Sequence, residues 1–338
     1  MFFAKKKSIL GVDIGTSNIK IVQVTHQDTP ILDTYGIVNT SYQIGIKNDA
    51  QATQQMAGVL RSLVDRAGVT AKRCVISFPN SAVFSSVVQL PKMNEKELAS
   101  AVEFEAKKYV PLALSEVDLS WSIVNDVPGL GNTVKVLLTA VPKQITKNYM
   151  EVFELAGLNP EVGEIEALAL IRALIGNVPI NCVIIDIGAR STGLNIIENG
   201  FLRLSRNLSI GGDTITDKIA QTLNVSIFRA EQFKKDFGVS NATFLPDAIR
   251  PVLNVIKTEV KQLLNIYNSQ KARPEKILLV GGGSNLPGLQ EFFSDLDLKV
   301  ELGNPLKTVT YSQQAAPVLQ RYSLSLPIAI GLALRNET

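Results

Sequence analysis

Two stretches of this chain alternate apolar and polar positions in the same way. Ser8–Val24 reads SILGVDIGTSNIKIVQV, and Asn181–Ile197 reads NCVIIDIGARSTGLNII. Each has an apolar run ending in Asp-Ile-Gly, a short polar turn, and a second apolar run. That is the pattern of a β-hairpin: strand, glycine-containing turn, strand. Asp13 and Asp186 mark the same point in the two copies and stand half a chain apart. A third strand is predicted after the second copy, over Phe201–Leu208, beyond the turn Glu198-Asn199-Gly200. A repeat this long is not a solenoid unit. It predicts an α/β chain made of two similar lobes facing one another.

The pattern between the repeats changes character. A helix is expected near Gln51–Ala67, then strands over Val75–Phe78, ending in Pro79-Asn80, and over Val83–Leu90. In Glu95–Lys108, Leu98, Val102 and Glu105-Ala106 recur at helical spacing. Asn94 suits its N-cap, and Tyr109-Val110-Pro111 ends it. Trp121–Val127 and Val134–Val141 read as strands paired around Pro128–Asn132, and Lys143–Leu155 reads as a helix closing at Gly157. This β/α group, about 75–150, interrupts the first lobe and carries no catalytic constellation. It is a natural partner-binding module. The expected organisation is lobe one over 1–180 with that insert, lobe two over 181–325, and a connecting helix over 326–338 that returns to lobe one.

The length of 338 residues agrees with about two domains. Lys and Arg total 34 against 31 for Asp and Glu, too even a balance for a dedicated nucleic-acid binder. Cys74 and Cys182 sit in apolar runs, so they read as buried thiols in a reducing compartment rather than as a disulfide or part of a metal tetrad. His26, the sole histidine, lies in a polar stretch that reads as surface, which argues against a His-based triad or a His-rich metal site. The longest apolar run, Leu324–Leu334, contains Pro327 and falls short of the about 20 residues a membrane span needs. Met1–Lys7 lacks the apolar run of a signal peptide. Its two Phe and three Lys suit either an anionic lipid surface or a solvated chain end.

The residue types at the two turns define what they could hold. Gly15 and Gly188 let a ligand approach the backbone, and turn amides form an anion-binding concavity. Thr16, Ser17 and Asn18 add donors in the first turn, and Ser191, Thr192 and Gly193 follow in the second. Asp13 and Asp186 end their strands where carboxylates hold Mg2+ through water. Lys20 follows to neutralise phosphate. Facing hairpins of this kind clamp a nucleoside polyphosphate with its metal. No phosphate-binding G-x-x-x-x-G-K-[ST] loop is present. Gly281-Gly282-Gly283-Ser284 lies between the strand Lys276–Val280 and a helix expected over Leu286–Phe293. Leu286 spoils a dinucleotide G-x-G-x-x-G, but the backbone could lie flat against a base or sugar, with a helix N-terminus near phosphate. Gly211-Gly212-Asp213 precedes a helix over Thr214–Leu223 and suits phosphate or ribose, with Asp213 equally able to be only an N-cap. Glu259 and Gln262 share one face of a helix over Pro251–Tyr267, as a nucleoside contact or a solvated face.

Asp13-Ile14-Gly15, Asp186-Ile187-Gly188 and Val280–Ser284 occur in the order of the two phosphate motifs and the adenosine motif of the actin-like ATPase superfamily, which includes actin, heat-shock chaperones, sugar kinases, MreB and FtsA. Glu164–Ala169 and Leu326–Ala333 resemble its two connecting helices. Lys5-Lys6-Lys7, Pro91-Lys92-Met93, Ala101–Pro111, Gly211–Thr216 and Ala230-Glu231 more narrowly resemble the PilM family of type IV pilus assembly proteins.

The resemblance implies an actin-like (ribonuclease-H-like) duplicated two-lobe α/β fold and an ATP- or ADP-binding scaffold with Mg2+, at most a slow ATPase. It implies a cytoplasmic protein, peripheral at the inner membrane, that binds the N-terminal cytoplasmic segment of PilN and other pilus inner-membrane assembly proteins. Contact with membrane would come only through partners, and a homo-oligomer stays open. Glu166 aligns with a connector residue that orients the attacking water in MreB-like proteins. It could equally complete the metal's water shell or open the helix. Arg190, beside the second hairpin, is the nearest arginine to the expected site. Two other readings compete. An FtsA-like division protein would end in an amphipathic membrane helix, where this sequence ends in Leu334–Thr338. A sugar kinase or polyphosphate hydrolase would need an added acid or base signature.

Overall fold

The first repeat folds into an antiparallel hairpin, β1 (Ser8–Ile14) and β2 (Asn18–Thr25), with Asp13 opposite Lys20. The computed structural model describes residues 7–45, 49–125, 132–240, 246–268 and 273–335. The Phe-rich start and most of the turn over Pro128–Asn132 lie outside them. After β3 (Ile31–Asn39) come α1 (Ala50–Arg66), β4 (Arg73–Phe78), β5 (Phe84–Pro91), α2 (Glu95–Tyr109), β6 (Val117–Asn125), β7 (Thr133–Pro142), α3 (Lys143–Leu155), β8 (Pro160–Ile165) and α4 (Glu166–Leu174). The second repeat supplies β9 (Cys182–Ile187) and β10 (Thr192–Glu198). It is followed by β11 (Phe201–Leu208), α5 (Gly212–Leu223), α6 (Ile227–Phe237), α7 (Pro246–Asn268), β12 (Lys276–Val280), α8 (Leu289–Phe293), β13 (Lys299–Leu302), α9 (Ala316–Tyr322) and α10 (Pro327–Ala333).

The duplication is explicit in the sheets. One has the order β3-β2-β1-β4-β8 and the other β11-β10-β9-β12-β13. Strand for strand the senses agree: an antiparallel three-strand meander, then two parallel neighbours. The apolar residues of α1 and α3, among them Met56, Leu60, Ile145 and Phe153, cover one face of the first sheet. Those of α5 and α7, among them Ile219, Leu253 and Ile256, cover the second. Between the sheets, α4 and α10 cross in contact. Gly331 makes this possible, because a β-carbon there would lie 1.9 Å from the Ala169 carbonyl oxygen. Gly11 likewise lets α10 rest on β1. Buried Glu164 of β8 ties the region together through Arg172 of α4, at 2.7 Å, and Arg335 just past α10.

The interrupting group is a separate three-stranded sheet, β5-β7-β6, with α2 packed on it through Leu98, Val102 and Ala106. Asn94 and Glu97 form a capping box at the start of α2, which satisfies two amides at the helix entrance. This sheet and its helix occupy 84–142. β4 pairs inside the first sheet and α3 packs on α1, so the outer parts of the 75–150 segment belong to lobe one by pairing and packing. Glu164-Ile165 ends a strand, and the connector helix itself begins at Glu166. The helix after the glycine run is shorter than expected: Gly282–Asn285 forms a turn of 3-10 helix, and α8 starts at Leu289. Cys74 and Cys182 are buried free thiols. His26 is not simply at the surface; its Nε2 shares a hydrogen bond of 2.8 Å with the Ala333 carbonyl oxygen.

Candidate functional site

The two glycine turns close in the same way. The Gly15 N–H donates to the Asn18 carbonyl and the Gly188 N–H to the Ser191 carbonyl, both at 2.9 Å. Equal turns at the ends of equivalent strands face each other across a cleft of about 790 Å³. Its wall carries Asp13, Gly15, Thr16, Ser17, Asn18 and Lys20 from the first lobe and Asp186, Gly188 and Ser191 from the second, with Glu166 between them. The glycine run closes one side. Gly281 sits at φ +85°, and a β-carbon there would come within 2.4 Å of an Asp186 carboxylate oxygen, so only glycine fits.

Charge is concentrated on the floor. Lys20 Nζ lies 2.8 Å from Asp13 Oδ2, and Ser77 Oγ donates to the other oxygen at 3.2 Å. Burial works against the Lys20 charge, but Asp13, Asp186 and Glu166 outweigh it and hold its pKa above the ordinary value. Burial together with Asp13 and Asp186 pushes Glu166 up to about 8, against which the Asn80 N–H, 3.2 Å away, donates to it. Burial also pushes Asp186 up to about 6, with Lys20 opposing and Asp13 assisting. Three carboxylates thus face one ammonium, an excess of negative charge that adds to burial in raising Glu166 and Asp186 and invites a cation. Among the described residues no three acidic, His or Cys side chains gather closely enough to chelate an ion directly. A metal here would be held through water and ligand oxygens.

The raised acids carry a sign for stability. Folded Glu166 holds its proton more tightly than unfolded Glu166, so its contribution is complete below about pH 4.5 and disappears as pH rises through about 8. Urea midpoints of the metal-free, ligand-free protein should therefore fall across that window, and Glu166→Gln should flatten the decline. An identical slope in both proteins would show that Glu166 is not the titrating group.

Several sequence candidates lie elsewhere. Thr192 is fully buried, and its hydroxyl donates to the Ile210 carbonyl at 2.7 Å. Ser284 is buried, its hydroxyl bonded to the Val280 carbonyl. Gly211, not Asp213, is the N-cap of α5, pressed against the carbonyls of Gly188 and Ala189. The amides of Gly212 and Asp213 already donate to those two carbonyls, at 2.9 and 2.7 Å, so α5 offers a ligand less than expected, although both residues line the cleft. Asp213 pairs with Arg190 at 3.3 Å, both half exposed. Glu259 is bound to Arg206, and neither it nor Gln262 reaches the cleft.

Residues 11–337 match a family described as type IV pilus assembly protein PilM. The chain belongs to the PilM family. The chain in a solved PilM-PilN type IV pilus biogenesis complex is 29% identical, with a TM-score of 0.85 over 97% of this chain and 98% of that one. The cell division protein FtsA of Streptococcus pneumoniae is 23% identical over 87% of this chain and 74% of its own. MreB 5 of Spiroplasma citri, solved bound to AMPPNP, is 16% identical with a TM-score of 0.52, covering 96% of this chain and 94% of that one. The fold is actin-like, as its duplicated sheets and crossing connectors require.

This PilM-family cleft also holds residues to which the sequence analysis gave no place in the site. Glu231 and Lys234 of α6 line it, three positions apart, with Lys234 Nζ 2.6 Å from Glu231 Oε2 and 2.8 Å from Thr216 Oγ1. Burial favours the neutral acid, but Lys234, Thr216 and Lys235 hold the Glu231 carboxyl below its ordinary range. The signal was in the spacing: Glu231 and Lys234 stand three apart on α6, as Glu259 and Gln262 do on α7. Asn39, Asn207, Arg321, Tyr322 and Ser325 also line the cleft. Among the described residues no helix is long and apolar enough to cross a membrane.

Proposed function

We propose that this PilM-family protein binds Mg·ATP or ADP between its lobes and serves as a PilN-binding scaffold of the type IV pilus assembly platform, peripheral at the cytoplasmic face of the inner membrane. The observation that carries this reading is the meeting of Asp13, Asp186, Glu166 and Lys20 between two matching glycine turns. The turns suit the phosphates, Lys20 adds a charge-assisted donor, and Glu231 with Lys234 suits the ribose. The surplus of negative charge fits Mg2+, with Asp13 and Asp186 holding it through water; such an ion carries charge that develops on a transferred phosphoryl group. Glu166, between the two turns, is placed to orient a water, and turnover by this route would be slow.

We place the partner peptide beside the inserted sheet. A groove of about 270 Å³ there is lined by Asn80, Phe84, Ser85, Ser86 and Tyr109, with Arg206 on the opposite wall. Both β5 and β11 are sheet-edge strands, so an extended segment could add to either. The test is calorimetry on the whole protein with Mg·ATP and with the PilN N-terminal peptide. Asp186→Ala should weaken Mg·ATP about tenfold or more, which is about 1.4 kcal/mol. Ser86→Trp, which fills the groove, should remove peptide binding and spare Mg·ATP. Unchanged Mg·ATP affinity in Asp186→Ala would end the cleft assignment, and unchanged peptide affinity in Ser86→Trp would end the groove assignment.

A further inference from the structure

The inserted sheet is rooted in lobe one but does not stand clear of lobe two. Lys135 of β7 is 9% exposed, and its Nζ lies 2.9 Å from Glu198 Oε2 at the end of β10. Arg203 of β11 approaches the same oxygen at 3.5 Å. Beneath this pair, Val124 and Leu137 of the insert share one apolar cluster with Ile197 and Leu202 of lobe two. At the root of the insert, Asn80 abuts lobe two as well; a β-carbon on Gly193 would come within 3.3 Å of its Nδ2. The backbone N–H of the same Asn80 holds Glu166.

The lobes are therefore joined twice, once where α4 crosses α10 and once at this seam. A hinge alone lets two bodies rotate about it, whereas a second attachment away from the hinge stops that rotation. We propose that the inserted module is a clasp that holds the two lobes together, closed by the Lys135–Glu198 pair, and that the cleft opens only when the module lifts from the β10–β11 edge. The pair suits a switch with two positions. Both side chains are mostly buried, so a half-open seam would leave the Lys135 charge dry and unpaired, with Glu198 keeping Arg203 of its own lobe, which is strongly unfavourable for Lys135. Lifting must rehydrate both together. A ligand seated against β5 and β11 would brace or wedge the same seam, and its effect on nucleotide would be returned by nucleotide upon it. The part concerning nucleotide release rests on the cleft assignment above; the part concerning the seam does not.

The experiment uses the full chain. Amide hydrogen exchange of β5 and β11 is read without ligand, and release of a fluorescent ADP is read in parallel. Lys135→Met and Glu198→Gln should each raise exchange in these two strands about tenfold, leave α5 unchanged, and speed ADP release about tenfold. The double variant should be no faster than the faster single, because each single already breaks the Lys135–Glu198 contact and the Arg203–Glu198 contact is lost no further than in Glu198→Gln. Lys135→Arg, which keeps the charge, should stay near wild type and covers the case in which a neutral variant does not fold. Unchanged exchange in the singles, additive effects in the double, or faster exchange with unchanged release would each overturn the clasp. A wild-type protein that bound no ADP would instead defeat the cleft assignment, while the exchange data would still decide the seam.

Discussion

Alanine in place of Gly331 should abolish folding or lower stability by about 3 kcal/mol or more. The added methyl would sit 1.9 Å from the Ala169 carbonyl oxygen and 2.5 Å from its carbon. Both are backbone atoms of the facing helix, so no side chain can swing aside, and α4 and α10 would have to separate. Separation would also pull Arg335 from the buried Glu164 carboxylate and Arg172 from the Gly331 carbonyl. Gly58→Ala is the control. That residue lies within α1 with nothing inside 4 Å of the added carbon, so the change should stabilise by up to about 1 kcal/mol. Urea denaturation of the three proteins checks both. A Gly331→Ala midpoint equal to wild type would mean that the helices do not cross this closely.

Lys20→Met should produce two effects of opposite sign. Its ammonium is the positive group bonded to Asp13, and Asp186 and Glu166 reinforce its charge. Without it, phosphate loses a charge-assisted donor worth roughly 1.5–3 kcal/mol, so Mg·ATP should bind about ten- to a hundredfold more weakly. Three carboxylates without a counter-charge should meanwhile hold bare Mn2+ more tightly than wild type does. Calorimetry with each ligand separates the terms. Weaker binding of both would point to a collapsed site, and stronger binding of both would mean that Lys20 does not face phosphate.

The paired hairpins were legible because strand alternation, Asp-Ile-Gly and a polar turn coincide twice, and a buried strand leaves little freedom in where those residues point. β3 and β13 were not. β3 has one buried residue among nine and β13 has none in four, so neither carries a core-facing alternation to read. Site chemistry followed the same division. Asp13, Asp186 and the glycines are placed by backbone geometry, which the strand pattern predicts. Hydroxyls are placed by rotamer and neighbours, so Thr192 and Ser284 had the right chemistry and the wrong partners, each bonded to a carbonyl. A polar pair facing the cleft was sought on α7, whose Glu259–Gln262 spacing equals that of Glu231–Lys234. Spacing places two side chains on one face; it does not say which helix turns that face to the cleft. α6 buries only Ala230 and so offered no apolar stripe from which to infer its orientation.

The insert leaves the first sheet after Phe78, at the carboxyl end of β4, and the next residues, Pro79 and Asn80, border the cleft. In parallel sheets that end is where ligands sit. A module grafted onto the opposite rim would be a passive handle, able to dock cargo but deaf to the chemistry. Grafted here, its stem is also part of the pocket's own rim. On the proposed reading, recruitment and sensing would then share one insertion, and sequence change would have only to adjust the strength of a connection that topology already provides.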